Sequence, residues 1–537
     1  MILSLADLVG QSARRHPARM ALRQGERSLD HAALDAAVRT TTRALRRLAL
    51  PRQARVAILA DKQIEVVVTL LAAGAAGLVA VPINPGLKPA QLAYIVNDAG
   101  AQLLVLPSAR WPQVAGALAE CTSLRQVITL GEAPLPEAGE GPPRQAWDRW
   151  LAASAAAVGE PPAHPLIDAD PAALLYTSGS TGQPKGVIVS HRNLVEGARS
   201  VAAYLPIGPD DVVLAVLPLS FDYGLNQLSQ CFLVGACAVL HTHLLPRDVL
   251  RALEDHRATA LAGVPPLWIQ LAPLDWPTGV VQRLRFITNS GGHLPAATLA
   301  TLRERLPHTA IYLMYGLTEA FRSTWLPPEE LDRRPGSIGR AIPNAEVRVL
   351  REDGSECAVG EVGELVHRGV HVALGYWNDP ARTAERFRPL PAADGRPLPE
   401  LAVWSGDLVR RDADGYLYFV GRRDDTIKTS GYRVSPTEIE DVVAAVDGVA
   451  EAVAFGVPHP AWGQAIVVVL QRRPGSAVGA SDVLQACRRD LASHMQPAWI
   501  ELGDQPLPRN PNGKFDRPRL AAEHHVRFSA PAEDTVR

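Results

Sequence analysis

The chain contains 537 residues, of which 47% are hydrophobic and 20% are charged, and its formal net charge is −2. This length exceeds what a single hydrophobic core usually organises, so we expect more than one domain. The near balance of acidic and basic residues argues against a nucleic-acid-binding protein, and no cluster of lysine and arginine indicates a membrane surface. The composition is typical of a globular protein, and we expect it in the cytoplasm.

Local patterns argue against membrane, disulfide and metal sites. The start of the chain is predicted to be an amphipathic helix rather than a signal peptide, because Asp7 comes early and no basic leader precedes it. Glycines and prolines interrupt the uncharged segment from Val66 to Leu87, which favours a helix followed by a buried strand over a membrane span. The five cysteines form no CxxC pair, which indicates reduced thiols. His241 and His243 lack further ligand residues nearby and are expected to be partly exposed.

The order of apolar runs predicts the fold class. Runs RVAILA, LVAVPIN, QLLVL and QVITL alternate with helical patterns between Arg55 and Leu130, and a second series occupies 174–319. This alternation is typical of parallel sheets covered by helices, which bind ligands beyond the carboxyl ends of their strands. An Ala- and Pro-rich segment around 132–165 is predicted to be a loop-rich connection.

The remaining chain predicts a change of architecture. The Gly-rich segments 335–343 and 363–376 indicate β structure with turns. From 437 onward we expect a helix (437–446), strands at 449–457 and 465–472, a helix at 481–495 and a terminal loop. The predicted fold is α/β, with a large N-terminal domain of helix-covered sheets, a β subdomain and a small α+β C-terminal domain.

The segment Leu174–Gly186, LLYTSGSTGQPKG, has the composition of a phosphate-binding loop. A buried strand leads into small residues whose backbone N–H groups can converge on an anion, while hydroxyls and Lys185 add donors and charge. Pro184 and Gly186 flank the lysine where the Walker P-loop has Gly and Ser/Thr, so it is not a Walker loop. Taken alone, such a segment is more often an ordinary flexible surface loop. The candidate phosphate-binding residues are Thr177, Ser178, Gly179, Ser180, Thr181 and Gly182.

Two predicted strands end in further candidate residues. Thr288–Gly292 closes one strand, and Tyr315-Gly316-Leu317-Thr318-Glu319 closes the next. An aromatic ring can stack on a base, a threonine hydroxyl can reach a phosphate, and a carboxylate is a hard oxygen ligand for Mg²⁺. For the turn Thr288–Gly292 taken alone, an ordinary tight turn that closes a strand is nearly as good an interpretation as a ligand-binding turn.

As an ordered set these segments resemble the adenylate-forming enzymes: acyl-CoA synthetases, luciferases and the adenylation domains of nonribosomal peptide synthetases. The loop resembles the family's phosphate-binding signature and residues 315–319 its YGxTE motif. The resemblance implies ATP and Mg²⁺ as cofactors, with Glu319 holding the metal and Thr318 and Lys185 acting in catalysis. It implies nucleotide contacts from Gly291, Gly292, Tyr315, Gly316, Asp407 and Arg422, the last two at the ribose.

The resemblance also implies a division of the chain into an adenylation core (1–423) and a mobile C-terminal domain (424–537). Asp424 would be the hinge, and Gly431 and Arg433 would line a tunnel for a phosphopantetheine arm. Lys514, which follows the Pro-Asn-Gly sequence 511–513, would be the catalytic lysine that bridges the acid and the α-phosphate. Without the family, the cluster around Asp424 is read as a solvated turn and Lys514 as an exposed loop residue.

The acid substrate is expected to contact Phe221, Asp222, Tyr223, Asn226, Ser290 and Met314. Arg322 and Ser323 are predicted to belong to the same wall of the substrate site. Asp222 follows an aromatic residue in an apolar neighbourhood and needs a partner. By resemblance it binds the α-ammonium group of an amino acid; the alternative, read from the residues alone, is a capping carboxylate near a helix start. We expect a small amino acid such as proline, passed to the phosphopantetheine thiol of a carrier protein acting in trans. The alternative is an acyl-CoA made from a medium-chain or aryl acid.

Overall fold

The structure is a computed structural model. It describes residues 1–131, 142–178, 184–390, 400–423, 425–429, 432–460, 462–510 and 514–528. None of the described helices has the length and hydropathy needed to cross a membrane.

Helices and strands alternate along most of the described chain. The helices are α1 (Leu5–Arg15), α2 (His31–Arg47), α3 (Ile64–Ala75), α4 (Pro89–Ala99), α5 (Trp111–Leu118), α6 (Trp147–Ala156), α7 (His191–Ala202), α8 (Asp222–Val234), α9 (Pro246–Asp255), α10 (Pro265–Leu271), α11 (Thr278–Arg283), α12 (Ala296–Arg305), α13 (Pro380–Arg386), α14 (Pro436–Ala444), α15 (Ala480–Asp490) and α16 (Arg517–His524).

The strands are β1 (Met20–Gln24), β2 (Arg27–Asp30), β3 (Arg55–Leu59), β4 (Val79–Ile83), β5 (Ala101–Pro107), β6 (Gln126–Leu130), β7 (Arg144–Ala146), β8 (Pro171–Ser178), β9 (Pro184–Ser190), β10 (Val212–Ala215), β11 (Cys237–Leu240), β12 (Ala260–Gly263), β13 (Phe286–Asn289), β14 (Ala310–Tyr315), β15 (Thr324–Leu326), β16 (Ser337–Ala341), β17 (Ala345–Leu350), β18 (Val362–Gly369), β19 (Gly375–Tyr376), β20 (Phe387–Pro389), β21 (Leu401–Arg411), β22 (Leu417–Arg422), β23 (Ile427–Thr429), β24 (Tyr432–Val434), β25 (Val449–His459), β26 (Gly463–Arg472) and β27 (Trp499–Gly503).

The chain divides into two compact units. The large unit comprises Met1–Val347 and His367–Val403, and the small unit comprises Arg348–Val366 and Trp404–Arg537. The domain boundary predicted between residues 423 and 424 falls inside the small unit.

The large unit contains two mainly parallel sheets. One has the strand order β19-β9-β8-β4-β3-β5-β6-β7, in which β3 to β7 and β8 run parallel and β9 returns antiparallel to β8. In the other, β11, β10, β12, β13 and β14 are parallel neighbours, and β15 and β16 follow as antiparallel strands. Helices pack their apolar residues against these sheets, and strands buried on both faces explain the continuous apolar runs of the sequence.

The small unit is α+β. Strands β24, β23, β26 and β25 form an antiparallel order, and β27 adds to β26 in parallel. Two apolar clusters lie on its sheet, one with α14 and α15 and one with α16. The predicted fold class is therefore confirmed.

The structure corrects several predicted boundaries and elements. Residues beyond 496, predicted to be a terminal loop, contain β27 and α16, while α15 ends at Asp490 rather than 495. The segment 132–165 contains β7 and α6 in its described part, because Trp147 and Trp150 supply an apolar face that the Ala- and Pro-rich composition obscures. His241 and His243 are partly exposed as expected.

Two buried histidines of the large unit make its stability depend on pH. Burial lowers the pKa of His367 to about 3 and that of His371 to about 4, so both stay neutral in the folded protein. Their rings accept or donate one hydrogen bond each, to the hydroxyls of Ser323 and Ser200 at 3.0 Å. Below pH 6.5 the unfolded chain gains protons that the folded one does not bind, so stability falls as the pH drops.

We expect the thermal unfolding midpoint to fall between pH 6.5 and pH 4, with a loss of about 1.4 kcal/mol per pH unit for each histidine. The variant His367→Gln should flatten this slope whatever its stability at neutral pH. The exposed His308→Gln is the matched control and should keep the slope of the unaltered protein. Equal slopes for the His367 variant and the control, measured by calorimetry, would show that this ring is protonated in the fold.

Candidate functional site

The predicted phosphate-binding loop lies at the tip of an antiparallel hairpin. Strands β8 and β9 pair with Thr177 opposite Lys185 and Tyr176 opposite Gly186. The Thr177 hydroxyl is buried and has no hydrogen-bond partner within the described ranges. A buried hydroxyl without a partner costs free energy, and a phosphate oxygen would satisfy it. Four of the candidate residues, Gly179 to Gly182, and the side chain of a fifth, Ser178, lie outside what the structure describes.

Lys185 and Glu319 are brought together at the start of β9. The Lys185 ammonium donates to Glu319 Oε1 at 3.0 Å and to the Tyr376 hydroxyl at 2.8 Å, and it lies 4.2 Å from the centre of the Tyr376 ring. The Tyr376 hydroxyl donates to the same Glu319 oxygen at 2.6 Å. All three side chains are largely buried, so their mutual contacts are little screened by solvent.

This cluster fixes the charge of Glu319. Burial alone would raise the pKa of its carboxyl, but Lys185 and the Tyr376 hydroxyl outweigh burial and lower the pKa to about 2. Glu319 is therefore a carboxylate at neutral pH, the form that a hard cation such as Mg²⁺ requires. The described residues contain no group of three or more His, Cys, Asp and Glu side chains placed to hold a metal. The donors fit Mg²⁺, which usually takes one or two carboxylates and completes its shell with water and phosphate.

Tyr376 is a site residue that the sequence analysis does not identify. The segment 363–376 reads as structural β strand, and nothing in its spacing points to Glu319. Strand β19 places it there by pairing antiparallel with β9, so that Tyr376 lies opposite Val187, two residues from Lys185. The available signal was the aromatic residue in a second Gly-rich segment, which is too general to assign a contact.

The two predicted nucleotide turns follow adjacent parallel strands. Asn289 and Leu313 are register partners in β13 and β14, so both turns leave the same edge of the sheet. Gly291 has φ of +83°, and a Cβ there would lie 3.3 Å from Val264 and 3.5 Å from the Phe221 ring. The buried Asn289 Oδ1 has no hydrogen-bond partner among the residues described. Tyr315 ends β14, and Thr318 and Glu319 lie in the 3₁₀ turn Thr318–Ala320.

The predicted acid-binding residues of the large unit are mostly buried. Asp222 is the first residue of α8 and is 4% exposed. The Tyr223 hydroxyl shares a 2.5 Å hydrogen bond with Thr288, and the Phe221 and Tyr223 rings meet edge to face. Met314 Sδ accepts a hydrogen bond from the Tyr204 hydroxyl at 3.0 Å.

Asn226 and Arg322 also belong to the predicted wall, and their contacts differ. Asn226 is bonded within its own helix, to Ser229 and Gln230. The Arg322 guanidinium donates to the Ser290 hydroxyl at 2.7 Å and lies 4.7 Å from the centre of the Tyr223 ring. Arg322 thus joins two of the predicted substrate residues.

The small unit places the two predicted ribose-binding residues side by side. Asp407 and Arg422 are register partners on β21 and β22, with Arg422 Nε 2.9 Å from Asp407 Oδ1. The Ser405 hydroxyl accepts from the Asp407 backbone N–H at 3.0 Å, and the buried Glu364 accepts from the Gly406 N–H at 2.8 Å. These bonds hold the backbone on which the Asp407 side chain stands.

The remaining predicted residues lie in the small unit. Arg433 is on β24, opposite Lys428 of β23. Lys514 is exposed, and its backbone N–H donates to Asn510 Oδ1 at 3.1 Å. Asp424 and Gly431 are outside the described residues, as is the Arg433 side chain. The roles predicted for all of these residues remain predictions.

Comparisons with known proteins identify the family. The model of AMP-binding enzymes matches residues 9–377, and that of the AMP-binding enzyme C-terminal domain matches 438–514. A feruloyl-CoA synthase from Amycolatopsis is 31% identical over 94% of this chain and 95% of its own. A sulfoacetate–CoA ligase from Cupriavidus necator is 34% identical over 84% of each chain. The solved structure of ATP-bound MatB from Rhodopseudomonas palustris is 27% identical, with a TM-score of 0.83 over 97% of this chain and 99% of that one.

The chain belongs to the family of AMP-binding enzymes. The matched segments and the fold confirm the resemblance to adenylate-forming enzymes that the sequence indicates. The protein is an ATP-dependent, AMP-forming ligase that joins a carboxylic acid to a thiol.

Proposed function

We propose that the protein activates a carboxylic acid as its acyl-adenylate and passes the acyl group to the thiol of coenzyme A. The observation that carries the proposal is the buried cluster of Lys185, Glu319 and Tyr376. Thr177, whose buried hydroxyl has no partner among the described residues, lies opposite Lys185 on the neighbouring strand. Two relatives named as a CoA synthase and a CoA ligase, which the chain matches over 95% and 84% of their own lengths, support coenzyme A as the acceptor. In balanced form, acid and ATP give acyl-AMP and pyrophosphate, and acyl-AMP and thiol give thioester, AMP and a proton.

In the first step the substrate carboxylate attacks the α-phosphorus, so no protein nucleophile is needed. The residues contribute alignment and charge: negative charge grows on the phosphate oxygens, and preformed donors aimed at it lower the barrier. Thr177, Lys185 and Thr318 would supply such donors from the large unit, and Lys514 from the small unit. Asp407 and Arg422 would orient the nucleotide through its ribose hydroxyls, for which a carboxylate is a two-oxygen acceptor.

Glu319 would hold Mg²⁺, because its carboxylate stays ionised beside Lys185. When bound, the metal supplies charge neutralisation for the phosphates. Tyr376 and Lys185 share one oxygen of Glu319 and so keep the carboxylate in a fixed orientation.

A second candidate is favoured by Asp222. A carboxylate that is 4% exposed and lies between the predicted acid-binding residues Phe221 and Tyr223 in the sequence is suited to an α-ammonium group. In this version the substrate is a small amino acid such as proline, and the acceptor is the phosphopantetheine thiol of a carrier protein in trans. Both candidates share the first step and differ in the acid and the thiol.

Acid-dependent exchange of labelled pyrophosphate into ATP tests the proposal. The panel should contain the common amino acids together with aliphatic and aryl acids, each with Mg²⁺. Exchange confined to acids without an α-amino group would reject the role of Asp222, and exchange confined to amino acids would support it. Thioester formation with coenzyme A would then be measured for each acid that exchanges. Exchange that is independent of any added acid would contradict the proposed function.

The second step is proposed to require rotation of the C-terminal domain about Asp424. A proline there fixes φ and removes a backbone N–H, so the chain loses the freedom that a hinge needs. We expect Asp424→Pro to keep pyrophosphate exchange within about threefold and to lower thioester formation by about 100-fold or more. Each half-reaction serves as the control for the other. Normal rates of both half-reactions would remove the hinge from residue 424.

A further inference from the structure

Arg322 is a buried cation with unused donors. Its side chain is 1% exposed, and of its three nitrogens only Nη1 has a hydrogen-bond partner among the described residues, the Ser290 hydroxyl. Its Nε and Nη2 are buried without partners. No carboxylate within the described ranges forms an ion pair with it. Burying a guanidinium costs desolvation free energy unless an anion pairs with it. The cation–π contact with the Tyr223 ring offsets only part of that cost.

The backbone is shaped to bring Arg322 to this position. Phe321 has φ of +54°, in the left-handed region that residues other than glycine rarely adopt. Its ring occupies space left by Gly197 of α7, where a Cβ would lie 2.3 Å from the ring. Strain of this kind persists only where the surrounding structure imposes it, and it concentrates at ligand sites. The turn that holds Phe321 at this φ is followed directly by Arg322, whose side chain is buried.

The neighbours of Arg322 are the residues proposed to contact the acid. Ser290 and Tyr223 touch the guanidinium directly, and Tyr223 is bonded in turn to Thr288 at the end of β13. Gly316 of the YGxTE motif packs closely on Arg322, since a Cβ there would lie 3.1 Å from the Arg322 Cα and 3.4 Å from its Nη1. Tyr223 and Thr288 also line a small, mostly apolar cavity of about 20 Å³, together with Met314 and Gln227. The buried Gln227 Oε1 also has no partner among the residues described.

We propose that Arg322 binds a second anionic group of the acid substrate, at the end opposite the carboxylate that is activated. The substrate class is then an acid with a distal carboxylate, sulfonate or similar group. A planar guanidinium offers parallel donors that match two oxygens of such a group. The inference rests on the proposed function, since it describes the acid that the adenylation site accepts. It assigns to Arg322 a role in specificity rather than in the chemical step.

The test compares acids that differ in one charge. Pyrophosphate exchange is measured with succinate and succinamate, glutarate and glutaramate, adipate and adipamate, and glutamate and glutamine, alongside unsubstituted monoacids. The unaltered protein is expected to prefer at least one charged member over its amide by about 100-fold in kcat/KM, because the amide leaves the buried cation unpaired. In Arg322→Gln that ratio should fall below about threefold, with the loss confined to the charged acid.

Two further variants separate specificity from folding. Arg322→Lys keeps the charge but loses the paired donors, so it should retain an intermediate preference. Arg303→Gln, at an exposed arginine of α12, should behave as the unaltered protein. The same charged acid should raise the thermal midpoint of the unaltered protein and not that of Arg322→Gln.

Three results would overturn the assignment. The first is exchange with monoacids but no preference for any charged member, which would leave the adenylation function intact. The second is an equal loss for both members of a pair in Arg322→Gln with a raised KM for ATP, which would place the guanidinium at the nucleotide. The third is no exchange with any acid, which would contradict the proposed function and this inference with it.

Discussion

Replacing Lys514 with alanine is expected to lower acid-dependent pyrophosphate exchange by about 1,000-fold while ATP binding changes by less than about threefold. Charge on the phosphate oxygens grows only as the acid attacks, so a donor that acts at that moment affects the rate far more than ground-state binding. The lysine is exposed in the small unit, and removing its side chain from a loop leaves no cavity. The loss should therefore appear in catalysis and not in the unfolding midpoint.

Exchange and the equilibrium binding of ATP are measured on the same preparations of Lys514→Ala. Lys88→Ala is the matched control, because it removes another exposed lysine ammonium from the large unit. Thioester formation from synthetic acyl-adenylate should proceed in the Lys514 variant, since the second step does not need this charge. Exchange at the normal rate would refute the assignment, and a comparable loss of ATP binding would show that Lys514 positions the nucleotide instead.

Glu319→Gln is expected to reduce exchange by about 100-fold or more and to raise the Mg²⁺ concentration that gives half-maximal rate. The change keeps the shape of the side chain but removes its negative charge. In the unaltered protein Lys185 stabilises this charge against the unfavourable effect of burial. A neutral amide is a weaker ligand for Mg²⁺, and it removes the negative charge that faces the buried Lys185 ammonium. The weaker metal ligand and the altered surroundings of Lys185 should both reduce the stabilisation of negative charge on the phosphates.

A magnesium titration of the exchange rate separates these consequences. Partial recovery at high Mg²⁺ is the expected signature of a weakened metal site. Glu304→Gln, at an exposed position of α12, should leave the titration unchanged. A rate loss in Glu319→Gln without any shift in the magnesium dependence would mean that the carboxylate acts through Lys185 and does not hold the metal.

Much of the large unit could be predicted from the sequence because its strands are buried on both faces. Continuous apolar runs such as RVAILA mark β3 directly, and the uncharged segment after Ile64 divides into α3 and β4 as expected. Strand β12 has no clear local signal, because it is only Ala260–Gly263 and two alanines and a glycine have weak strand preference; its neighbours β10 and β13 place it in the sheet. Strand β9 includes Lys185 and Gly186, which the sequence pattern places in the loop, because the hairpin depends on pairing across the loop and not on local pattern.

The site shows the same division between local and long-range information. Lys185 and Glu319 stand out as residue types within short motifs, but their contact joins positions 134 residues apart. Tyr376 completes that contact through a two-residue strand that no periodicity can reveal. Arg322 was identifiable as a wall residue, whereas its lack of partners emerges only when the burial and the donors of its neighbours are known.

The most direct test of acid adenylation follows an oxygen atom. The acid is labelled with ¹⁸O in the carboxylate that is activated, incubated with ATP, Mg²⁺ and coenzyme A, and the products are analysed by mass spectrometry. If the carboxylate attacks the α-phosphorus and the thiol then attacks the acyl carbon, each AMP released carries one ¹⁸O from the acid. Unlabelled AMP, or label recovered in inorganic phosphate, would contradict an acyl-adenylate intermediate.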